Sequence, residues 1–594
     1  MTLDAAWQAL ERDDFAFAER AARETLARTP DDGEALYLLG SALLFAGRHA
    51  EALRPLEEAA ACLRTRGVGY RLGHCRLALG DFPGAEAALR REIELHPDSA
   101  NAHNTLGVTL VNQAKHEQAL AAFLAALRIE PAHAEARRNA AVARGQLAWN
   151  LISLCRWDEA RPHIAALRAG VQDGTLAAAP FTMIAVSSSA EEQRRCAEQH
   201  VREQGLDRVA PVTRRSASRA SRIRLAYVSG DFHEHATAKL AARLFELHDR
   251  SRFEVCAISY GEDDGSPMRR RLKSAFDRFV DVRDASDREA AQRIADGETA
   301  IAIDLKGHTP SARPGILAAR PAPLQVSYLG FPGTMGAPFI DYLVADAIVV
   351  PPAEERFYSE GIVRLPHCYQ VNDATREIAP QSPSRTEAGL PEGVFVFCCF
   401  NHAYKITPEV FDLWMRLLRK VSDSRLWLLE DDPAASANLR AAARSRGIDP
   451  ARLVFAPRMP HEQHLARQRL ADLSLDTLPC NAHTTASDAL WAGLPALTCI
   501  GSTFAGRVAA SLLTAIGLPE LVTRSLQEYE DLALALASDR RRLAGYRERL
   551  VRNRLEKPLF DTDRFRRGLE AAYETMWEMH CRGEAPRSFS VDAP

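Results

Sequence analysis

The chain has 594 residues, which is too long for a single hydrophobic core and predicts about three domains. Its 46% hydrophobic and 26% charged residues are typical of soluble globular proteins, and a formal net charge of −3 gives no electrostatic reason to expect nucleic acid or an anionic membrane as a partner. The sequence starts without a basic leader, contains no apolar run of about 18 residues, and shows no cysteine spacing suited to zinc. We therefore expect a cytoplasmic protein with reduced thiols, no metal site, and no membrane or nucleic-acid partner.

The first part of the chain is helical in pattern and repeats with a period of about 34 residues. Small residues recur at matching positions of successive units, at Gly40, Gly73 and Gly107 and again at Ala52, Ala85 and Ala119. Such residues let the two helices of a unit approach closely, and prolines at 30, 97 and 131 close the units. The pattern resembles tetratricopeptide repeats, with about four units over residues 1–134, and this resemblance predicts a superhelix whose concave face binds partner proteins or peptides.

Residues 135–220 predict degenerate repeat-like helices, which include WDEA at 157–160 and continue to about 170, and then a linker. The linker contains the Ser/Arg-rich stretch RVAPVTRRSASRASR, residues 208–222. Because this stretch lacks interleaved aromatic residues, we interpret it as a solvated connection rather than a nucleic-acid site.

From residue 221 onward, short apolar runs alternate with amphipathic helical segments, which is the pattern of doubly wound parallel sheets. The predicted strands of the first half are 223–232, 253–261, 300–309, 323–331 and 342–350, and those of the second half, after a Pro-rich connection over 366–391, are 394–401, 424–430, 451–457, 470–476 and 495–501. We predict two Rossmann-like domains, 221–385 and 386–580, and a disordered tail over 581–594. The fold class is therefore α/β with N-terminal all-α repeats. Neither half has a GxGxxG after its first strand, which argues against a dinucleotide oxidoreductase.

Ligands of such sheets bind at the carboxyl ends of the strands. In the first half, the polar residues and glycines that follow strands are Asp231, His233, His235, Lys306, His308, Thr309, Gly330, Pro332, Gly333 and Gly336. The glycines permit a tight turn close to a ligand, and a histidine in a cleft is a candidate base. A surface or capping role for the histidines, and an ordinary loop for the glycines, are the alternatives.

In the second half, the corresponding residues are His402, Lys405, Arg458, Met459, His461, His464 and Arg467. A lysine and backbone donors in this position suit a leaving diphosphate, and a flat side chain such as His464 suits stacking on a nucleobase. The carboxylates of EDD at 430–432 offer metal ligands, but the Pro- and Ala-rich surroundings favour a solvated turn.

A strand, a turn and a helix start are predicted where LADLSLDTLP, 470–479, runs into CNAHTTASDALWAGLP, 480–495. The backbone N–H groups and the dipole of a helix N-terminus favour an anion, so His483, Thr484 and Thr485 are candidates for holding a phosphate or pyrophosphate. Asp488, one turn further, suits the hydroxyl groups of a ribose. An ordinary capped turn between strand and helix is the alternative.

Several long motifs of the chain resemble the protein O-GlcNAc transferase family, which includes the plant Spindly-type O-fucosyltransferases. Besides the repeats, they are DFHEHATAKL, RPAPLQVSYLGFPGTMGAPFIDYLVAD, FNHAYKITPEVFDLWMRLL, LADLSLDTLPCNAHTTASDALWAGLP and GRVAASLL. The resemblance extends from the repeats to about residue 578. It implies a GT-B fold, a nucleotide-sugar donor in the cleft between the halves, and metal-independent, inverting transfer to Ser or Thr hydroxyls of proteins.

The resemblance also implies roles for individual residues. His235 matches the histidine near the sugar and the acceptor, and Lys405 matches the lysine that neutralises the diphosphate. His402 stands where animal enzymes have a glutamine. His464 matches the residue that stacks on the base, and Arg458 to His461 match the loop that reads its edge. His483, Thr484 and Thr485 match the turn that binds the diphosphate. Asp488 matches the carboxylate that binds the ribose.

The chain departs from the family pattern in three ways. Ala236 replaces the proline that follows the histidine, His402 replaces glutamine, and the connection between the halves is too short for the extra domain of the animal enzymes. These features and the short repeat array resemble bacterial members. The leading prediction is a glycosyltransferase that uses UDP-GlcNAc. The alternatives are GDP-fucose as the donor and a repeat-based scaffold that binds nucleotide without turnover. The acceptor, the oligomeric state and the general base are left open.

Overall fold

The computed structural model describes residues 2–175, 178–214 and 222–593. It divides into two compact units, residues 1–148 and residues 149–594. About half of the predicted Ser/Arg-rich stretch, residues 215–221, lies outside the described residues.

The first unit consists of antiparallel helix pairs. Its helices are α1 (Leu3–Leu10), α2 (Phe15–Leu26), α3 (Gly33–Phe45), α4 (His49–Cys62), α5 (Val68–Ala78), α6 (Phe82–Leu95), α7 (Ala100–Asn112), α8 (His116–Ile129) and most of α9 (Ala134–Ser153). The recurring glycines lie where two helices of a pair meet. A Cβ atom on Gly107 would come within 2.4 Å of the Phe123 ring, and one on Gly40 within 2.6 Å of Leu56. The predicted repeats are confirmed, because the repeated small residue is required by the packing of α8 on α7 and of α4 on α3.

The second unit begins with the end of α9 and three further helices, α10 (Trp157–Asp173), α11 (Pro180–Val186) and α12 (Ala190–Glu203). The first α/β half then contains β1 (Ile223–Ser229), α13 (Ala236–Leu247), β2 (Phe253–Ser259), α14 (Pro267–Ala275), β3 (Arg278–Asp281), α15 (Asp287–Asp296), β4 (Ile301–Asp304), α16 (Gly315–Ala318), β5 (Leu324–Ser327), β6 (Tyr342–Asp346) and β7 (Gly361–Leu365).

The second half contains β8 (Phe395–Cys399), α17 (Pro408–Lys420), β9 (Ser424–Leu429), α18 (Pro433–Ser445), β10 (Leu453–Ala456), α19 (His461–Arg467), β11 (Leu473–Leu475), α20 (Thr484–Trp491), β12 (Ala496–Cys499), α21 (Val508–Ala515), β13 (Val522–Thr523), α22 (Leu526–Ser538) and α23 (Arg540–Glu556). The chain ends with α24 (Thr562–Cys581) and β14 (Phe589–Ser590). Short 3-10 helices cover Leu206–Arg208, Pro352–Phe357, Ala403–Lys405, Pro450–Arg452, Gln468–Leu470, Pro519–Leu521 and Pro558–Phe560.

Two parallel sheets form the cores of the two halves. Within the described residues, the first sheet has eight strands in the order β14-β7-β6-β5-β4-β1-β2-β3, and the second has six in the order β10-β9-β8-β11-β12-β13. The central strands β4, β5 and β6 of the first sheet are entirely buried, as expected where helices cover both faces of a sheet. Every strand predicted from the sequence is present, whereas β3, β7, β13 and β14 were not predicted. β3 carries the polar sequence RFVD, which gives no apolar run.

The C-terminal segment differs from the predicted boundaries. Residues 581–594 were expected to be disordered and α24 was expected to belong to the second half. Instead, α24 packs its apolar residues Leu569, Tyr573 and Met576 into the core of the first half, and β14 pairs with β7 at the edge of the first sheet. The apolar face of α24 and the free edge of β7 bind the returning chain, so the tail is ordered through residue 593.

Two further expectations concern cysteines and membrane spans. All eleven cysteines are free thiols, as predicted. Among the described helices, none combines the length and the apolar character that a membrane crossing requires.

Candidate active site

The topology places two clusters of polar residues at the positions where parallel sheets bind ligands. In the first sheet the strand order reverses between β1 and β4, and in the second sheet it reverses between β8 and β11. Neighbouring loops leave such a point in opposite directions and open a crevice at the carboxyl ends of the strands. The predicted candidates after these four strands therefore lie at the two crevices.

Lys405 lies in the segment after β8, residues 401–406, which we call the post-β8 segment. Its Nζ atom donates to the carbonyl oxygen of Asn481 at 2.7 Å and is buried. Burial lowers the pKa of Lys405, but Cys480, Tyr404 and Asp476 outweigh this effect and the pKa lies above its ordinary value. The side chain is thus a buried ammonium group beside the turn that leads into α20.

The post-β8 segment is held by residues far away in the sequence. Trp157, at the start of α10, donates from its indole N–H to the Ile406 carbonyl at 2.9 Å, and the Trp149 ring lies 4.6 Å from the Tyr404 ring. These aromatic contacts were not predicted, because the helices before residue 170 gave no signal that they pack beside β8.

The turn between β11 and α20 is organised by Asp476. Its carboxylate accepts from the N–H groups of Thr477 at 2.7 Å and Ala482 at 2.5 Å and from the Thr498 hydroxyl at 2.6 Å. Burial raises the pKa of Asp476 to about 6, against the effect of these hydrogen bonds. Asp476 was predicted only as the last residue of a strand, yet its carboxylate holds the shape of the turn.

The start of α20 has donors without acceptors inside the helix. The first helical hydrogen bond is donated by Ser487 to the His483 carbonyl at 3.1 Å, so the N–H groups of Thr484 and Thr485 precede the helical ladder. The Thr485 hydroxyl donates to the Asn401 side chain, which ties α20 to the post-β8 segment. This geometry suits an anion at the predicted position.

His483 is oriented by a backbone carbonyl. Its Nε2 atom lies 3.1 Å from the Ala505 oxygen, and burial lowers its pKa to about 3. A neutral ring that donates from Nε2 leaves Nδ1 as an acceptor. The side chain therefore suits a hydroxyl donor better than a phosphate oxygen.

Asp488 is paired with an arginine that the sequence analysis did not single out. Arg376, in the connection between the two halves, donates from Nη1 to Asp488 Oδ1 at 2.6 Å. Burial raises the pKa of Asp488, while Arg376 acts against this shift. His461 Nε2 lies 3.9 Å from the same carboxylate oxygen.

The loops after β8, β9 and β10 meet at Asp431. This carboxylate accepts from His402 Nδ1 at 2.8 Å and from Arg458 Nη2 at 2.5 Å. Burial acts to raise the pKa of Asp431, but the bonds from His402 and Arg458 hold it at about 2. The segment at 430–432 was interpreted as a solvated turn, and it differs from that expectation: Asp431 joins two predicted site residues, and Asp432 caps α18.

Of the residues predicted on α19 and the loop before it, two face aromatic neighbours. The His464 ring lies edge-on to Phe400 at 5.2 Å, and burial lowers its pKa to about 4. Arg467 is 1% exposed, lies over the same Phe400 ring at 4.9 Å, and donates to the Pro457 carbonyl at 2.5 Å. Met459 and Arg467 both border a cavity of about 460 Å³ behind this loop. Arg467 thus supports the loop from inside the domain.

In the first half, Asp231 is the centre of the polar cluster. Its carboxylate accepts from Lys306 Nζ at 2.6 Å and lies 3.5 Å from His235 Nδ1. His235 caps α13 by accepting from the Thr237 N–H at 3.2 Å, and desolvation lowers its pKa against the effect of Asp231. The cap places the ring proton on Nε2, whereas action as a base requires the opposite tautomer, with Nδ1–H directed to Asp231.

The glycine-rich loop after β5 packs against the turn of the second half. Gly330 is required by the chain itself, because a Cβ atom there would come within 1.9 Å of the Leu305 carbonyl oxygen. Pro332 is buried. Phe331 shares a hydrophobic cluster with Cys480, which lies in the turn that leads into α20. The loop and the turn before α20 therefore belong to one hydrophobic cluster that spans the two halves.

No group of three or more His, Cys, Asp or Glu side chains arranged to hold a metal ion occurs among residues 2–175, 178–214 and 222–593.

Two Rossmann-like sheets with polar residues at the carboxyl ends of their strands, preceded by tetratricopeptide repeats, define a protein of the GT-B-like fold class. The model of glycosyl transferase family 41 matches residues 206–380 and 370–569, and the tetratricopeptide repeat model matches residues 3–65 and 70–134. The chain belongs to glycosyl transferase family 41, and the family and fold expected from the sequence are confirmed.

Relatives and a solved structure agree with this assignment. A protein of Arabidopsis thaliana described as a probable UDP-N-acetylglucosamine–peptide N-acetylglucosaminyltransferase SEC is 42% identical over 376 residues, which is 62% of this chain and 38% of that protein. The UDP-N-acetylglucosamine–peptide N-acetylglucosaminyltransferase of Caenorhabditis elegans is 30% identical over 496 residues, 65% of this chain and 43% of that protein. The chain thus spans about two fifths of these relatives. A mutant of the Thermobaculum terrenum O-GlcNAc transferase matches with 30% identity and a TM-score of 0.65 over 98% of this chain and 97% of that one.

Proposed function

We propose that the protein transfers N-acetylglucosamine from UDP-GlcNAc to Ser or Thr hydroxyls of proteins. The observation that carries the proposal is the buried Lys405 ammonium, 2.7 Å from the Asn481 carbonyl in the turn that leads to the start of α20. A cation and a helix N-terminus on one turn form a site for a diphosphate. The choice of N-acetylglucosamine as the transferred sugar comes from the names of the family relatives.

The proposed step is a direct displacement with inversion. The acceptor oxygen forms a bond to the anomeric carbon as the bond from that carbon to the diphosphate oxygen breaks. Negative charge grows on the leaving diphosphate, where Lys405 and the N–H groups of Thr484 and Thr485 stabilise it without reorganisation. The acceptor hydroxyl loses its proton as the new bond forms. His235 takes this proton on Nε2 in the tautomer whose Nδ1–H points to Asp231; in the capping tautomer His235 only orients the hydroxyl, and the proton passes to an oxygen of the leaving diphosphate. Because the cationic donors belong to the chain, the proposal includes no metal ion.

The remaining site residues are assigned to the nucleotide and the sugar. His464 stacks on the base, and Arg458, Met459 and His461 form the loop that reads its edge. Asp488 accepts from the ribose. His483, with a free acceptor at Nδ1, binds a sugar hydroxyl.

We further propose that the repeats recruit the acceptor proteins, because tetratricopeptide arrays bind polypeptide segments on their concave face. With about four units the array offers a short surface. The expected cytoplasmic location stays a prediction.

A thermal-shift panel followed by a transfer assay tests the donor. UDP-GlcNAc and UDP are expected to raise the melting temperature, with about 2.7 kcal/mol of added stability at a ligand concentration about 100-fold above Kd. GDP-fucose and GDP are expected to leave it unchanged. If GDP and not UDP raised the melting temperature, the proposed donor would be GDP-fucose instead of UDP-GlcNAc. Binding without release of UDP from UDP-GlcNAc, in the presence of protein acceptors, would favour a non-catalytic scaffold.

A further inference from the structure

Arg376 belongs to a connecting segment, yet it is among the most completely enclosed arginines of the second unit. Its side chain is 4% exposed. Nη1 donates to Asp488 at 2.6 Å and Nε donates to the Asp373 carbonyl at 3.1 Å. The guanidinium group lies 5.5 Å from the Trp491 ring and 6.0 Å from the Phe560 ring. This enclosure fixes both the position and the direction of the charge.

The neighbourhood of Arg376 contains buried polar atoms that have no hydrogen-bond partner in the described part of the protein. Among the described residues, Arg376 Nη2 and His461 Nε2 are buried and have no hydrogen-bond partner. The bond from Arg376 uses Oδ1 of Asp488 and leaves Oδ2 for another donor. Buried polar groups are almost always paired in native proteins, so an unpaired guanidinium N–H, an unpaired imidazole nitrogen and a free carboxylate oxygen point to a ligand that both donates and accepts. A vicinal diol has this character, because each hydroxyl group donates one hydrogen bond and accepts others.

The contacts of the connecting segment hold Arg376 rigidly. Asp373, whose carbonyl accepts from Arg376, is itself paired with Arg271 of α14 at 2.8 Å. The indole N–H of Trp491 donates to the Arg376 carbonyl at 3.2 Å. Two hydrogen bonds therefore join α20 to the connection, one from the Arg376 side chain to Asp488 and one from Trp491 to the Arg376 backbone.

We propose that Arg376 is a positioning residue that holds Asp488 for the ribose diol of the nucleotide and thereby makes the site select ribose over 2′-deoxyribose. The proposal rests on the proposed function, because it requires a nucleotide donor. It adds a residue from outside both sheets to the nucleotide site. A neutral side chain at 376, such as methionine, would leave Asp488 without its partner and free to turn away from the diol.

Isothermal titration calorimetry with the full chain tests this role, with UDP, 2′-deoxy-UDP and inorganic pyrophosphate as the probes. The wild type is expected to bind UDP about tenfold to a hundredfold more tightly than 2′-deoxy-UDP, because the deoxy analogue leaves buried groups unpaired. In Arg376→Met the preference should fall to within about twofold, while the affinity for pyrophosphate, which probes only the Lys405 and α20 region, stays within about twofold of wild type. Arg376→Lys, which keeps the charge, should retain part of the preference.

Arg554 provides the matched control. It lies over the same Trp491 ring at 4.9 Å and donates to the Trp491 carbonyl at 2.9 Å, but it does not contact Asp488. Arg554→Met is expected to keep the wild-type preference for UDP. Arg376→Met leaves the buried carboxylate of Asp488 without a partner, which can prevent folding. In that case the double variant Arg376→Met with Asp488→Asn replaces the single one. Its preference for UDP over 2′-deoxy-UDP should be equally low.

The outcomes separate the two proposals. If the wild type binds UDP with a ribose preference and Arg376→Met and the double variant keep it, Arg376 has no role in the diol site and the inference is wrong. A wild type that binds UDP and 2′-deoxy-UDP equally also overturns it, although the proposed function survives. If GDP binds in place of UDP, the same comparison is made with 2′-deoxy-GDP. If neither nucleotide binds, the proposed function fails and the diol site fails with it.

Discussion

Replacing Lys405 by methionine removes a buried ammonium group and keeps most of the side-chain volume. An ammonium and a unit negative charge about 4 Å apart attract by about 4 kcal/mol at an effective dielectric constant of about 20. Only the part that grows as the diphosphate gains charge lowers the barrier, so we expect a loss of about 3 kcal/mol, or about a hundredfold in kcat. The measurement is the rate of UDP release from UDP-GlcNAc at saturating donor, in the presence of a protein acceptor.

Lys420 offers a matched control in the same half. Its side chain is 52% exposed and pairs with Glu530 at 2.8 Å, at the end of α17. Lys420→Met should change kcat by less than about twofold, since exposed ion pairs contribute little. If Lys405→Met turned over within about threefold of wild type while remaining folded, the charge would not act on the leaving group and the electrostatic argument would be wrong.

Three further predictions concern the surroundings of the site. Trp157→Phe keeps an aromatic ring but removes the indole hydrogen bond to the post-β8 segment. It should lower kcat/KM about fivefold, which corresponds to about 1 kcal/mol. Steady-state kinetics that match wild type would show that this bond does not position the segment. Asp431→Asn should weaken UDP binding several-fold by calorimetry without changing the affinity for pyrophosphate, and an equal loss for both ligands would contradict a role in the base loop. The pKa values of His461, His464 and His483, about 3, 4 and 3, lie below the usual 6.5, so the unfolded chain binds more protons below that pH and stability should fall as the pH drops from 6.5 toward 4. Urea denaturation that gave a constant free energy of unfolding over this range would refute the burial of these rings.

The fold can be predicted best from the sequence where a local pattern of residues follows from a packing requirement. Gly107 recurs with the repeat because Phe123 occupies the space that its side chain would fill. Lys405 and the start of α20 follow buried strands, and the carboxyl ends of parallel strands share one edge of a sheet. Period and topology therefore suffice to predict the repeats, both sheets and the position of the turn that leads into α20.

Contacts between distant loops leave no such pattern. Arg376 and Asp488 are 112 residues apart, and Trp157 and Ile406 are 249 residues apart. The other candidates were predicted because they directly follow strands. Neither Arg376 nor Trp157 directly follows a strand, so this rule could not identify them. The C-terminal tail was wrongly expected to be disordered for a related reason, because the partner of β14 is the edge of β7, more than 200 residues earlier.

The return of the chain bears on how the halves of the second unit can move. The polypeptide passes between them twice, through the connection that holds Arg376 and again just before α24. These two crossings touch, since the Thr562 hydroxyl donates to the Asn372 carbonyl at 2.7 Å and the Phe560 ring lies 4.9 Å from Trp491. A rotation of one half against the other must bend both crossings, so its axis passes near their point of contact. Displacement is smallest near the axis, so such a rotation would move the Arg376–Asp488 pair less than the loops at the open end of the cleft.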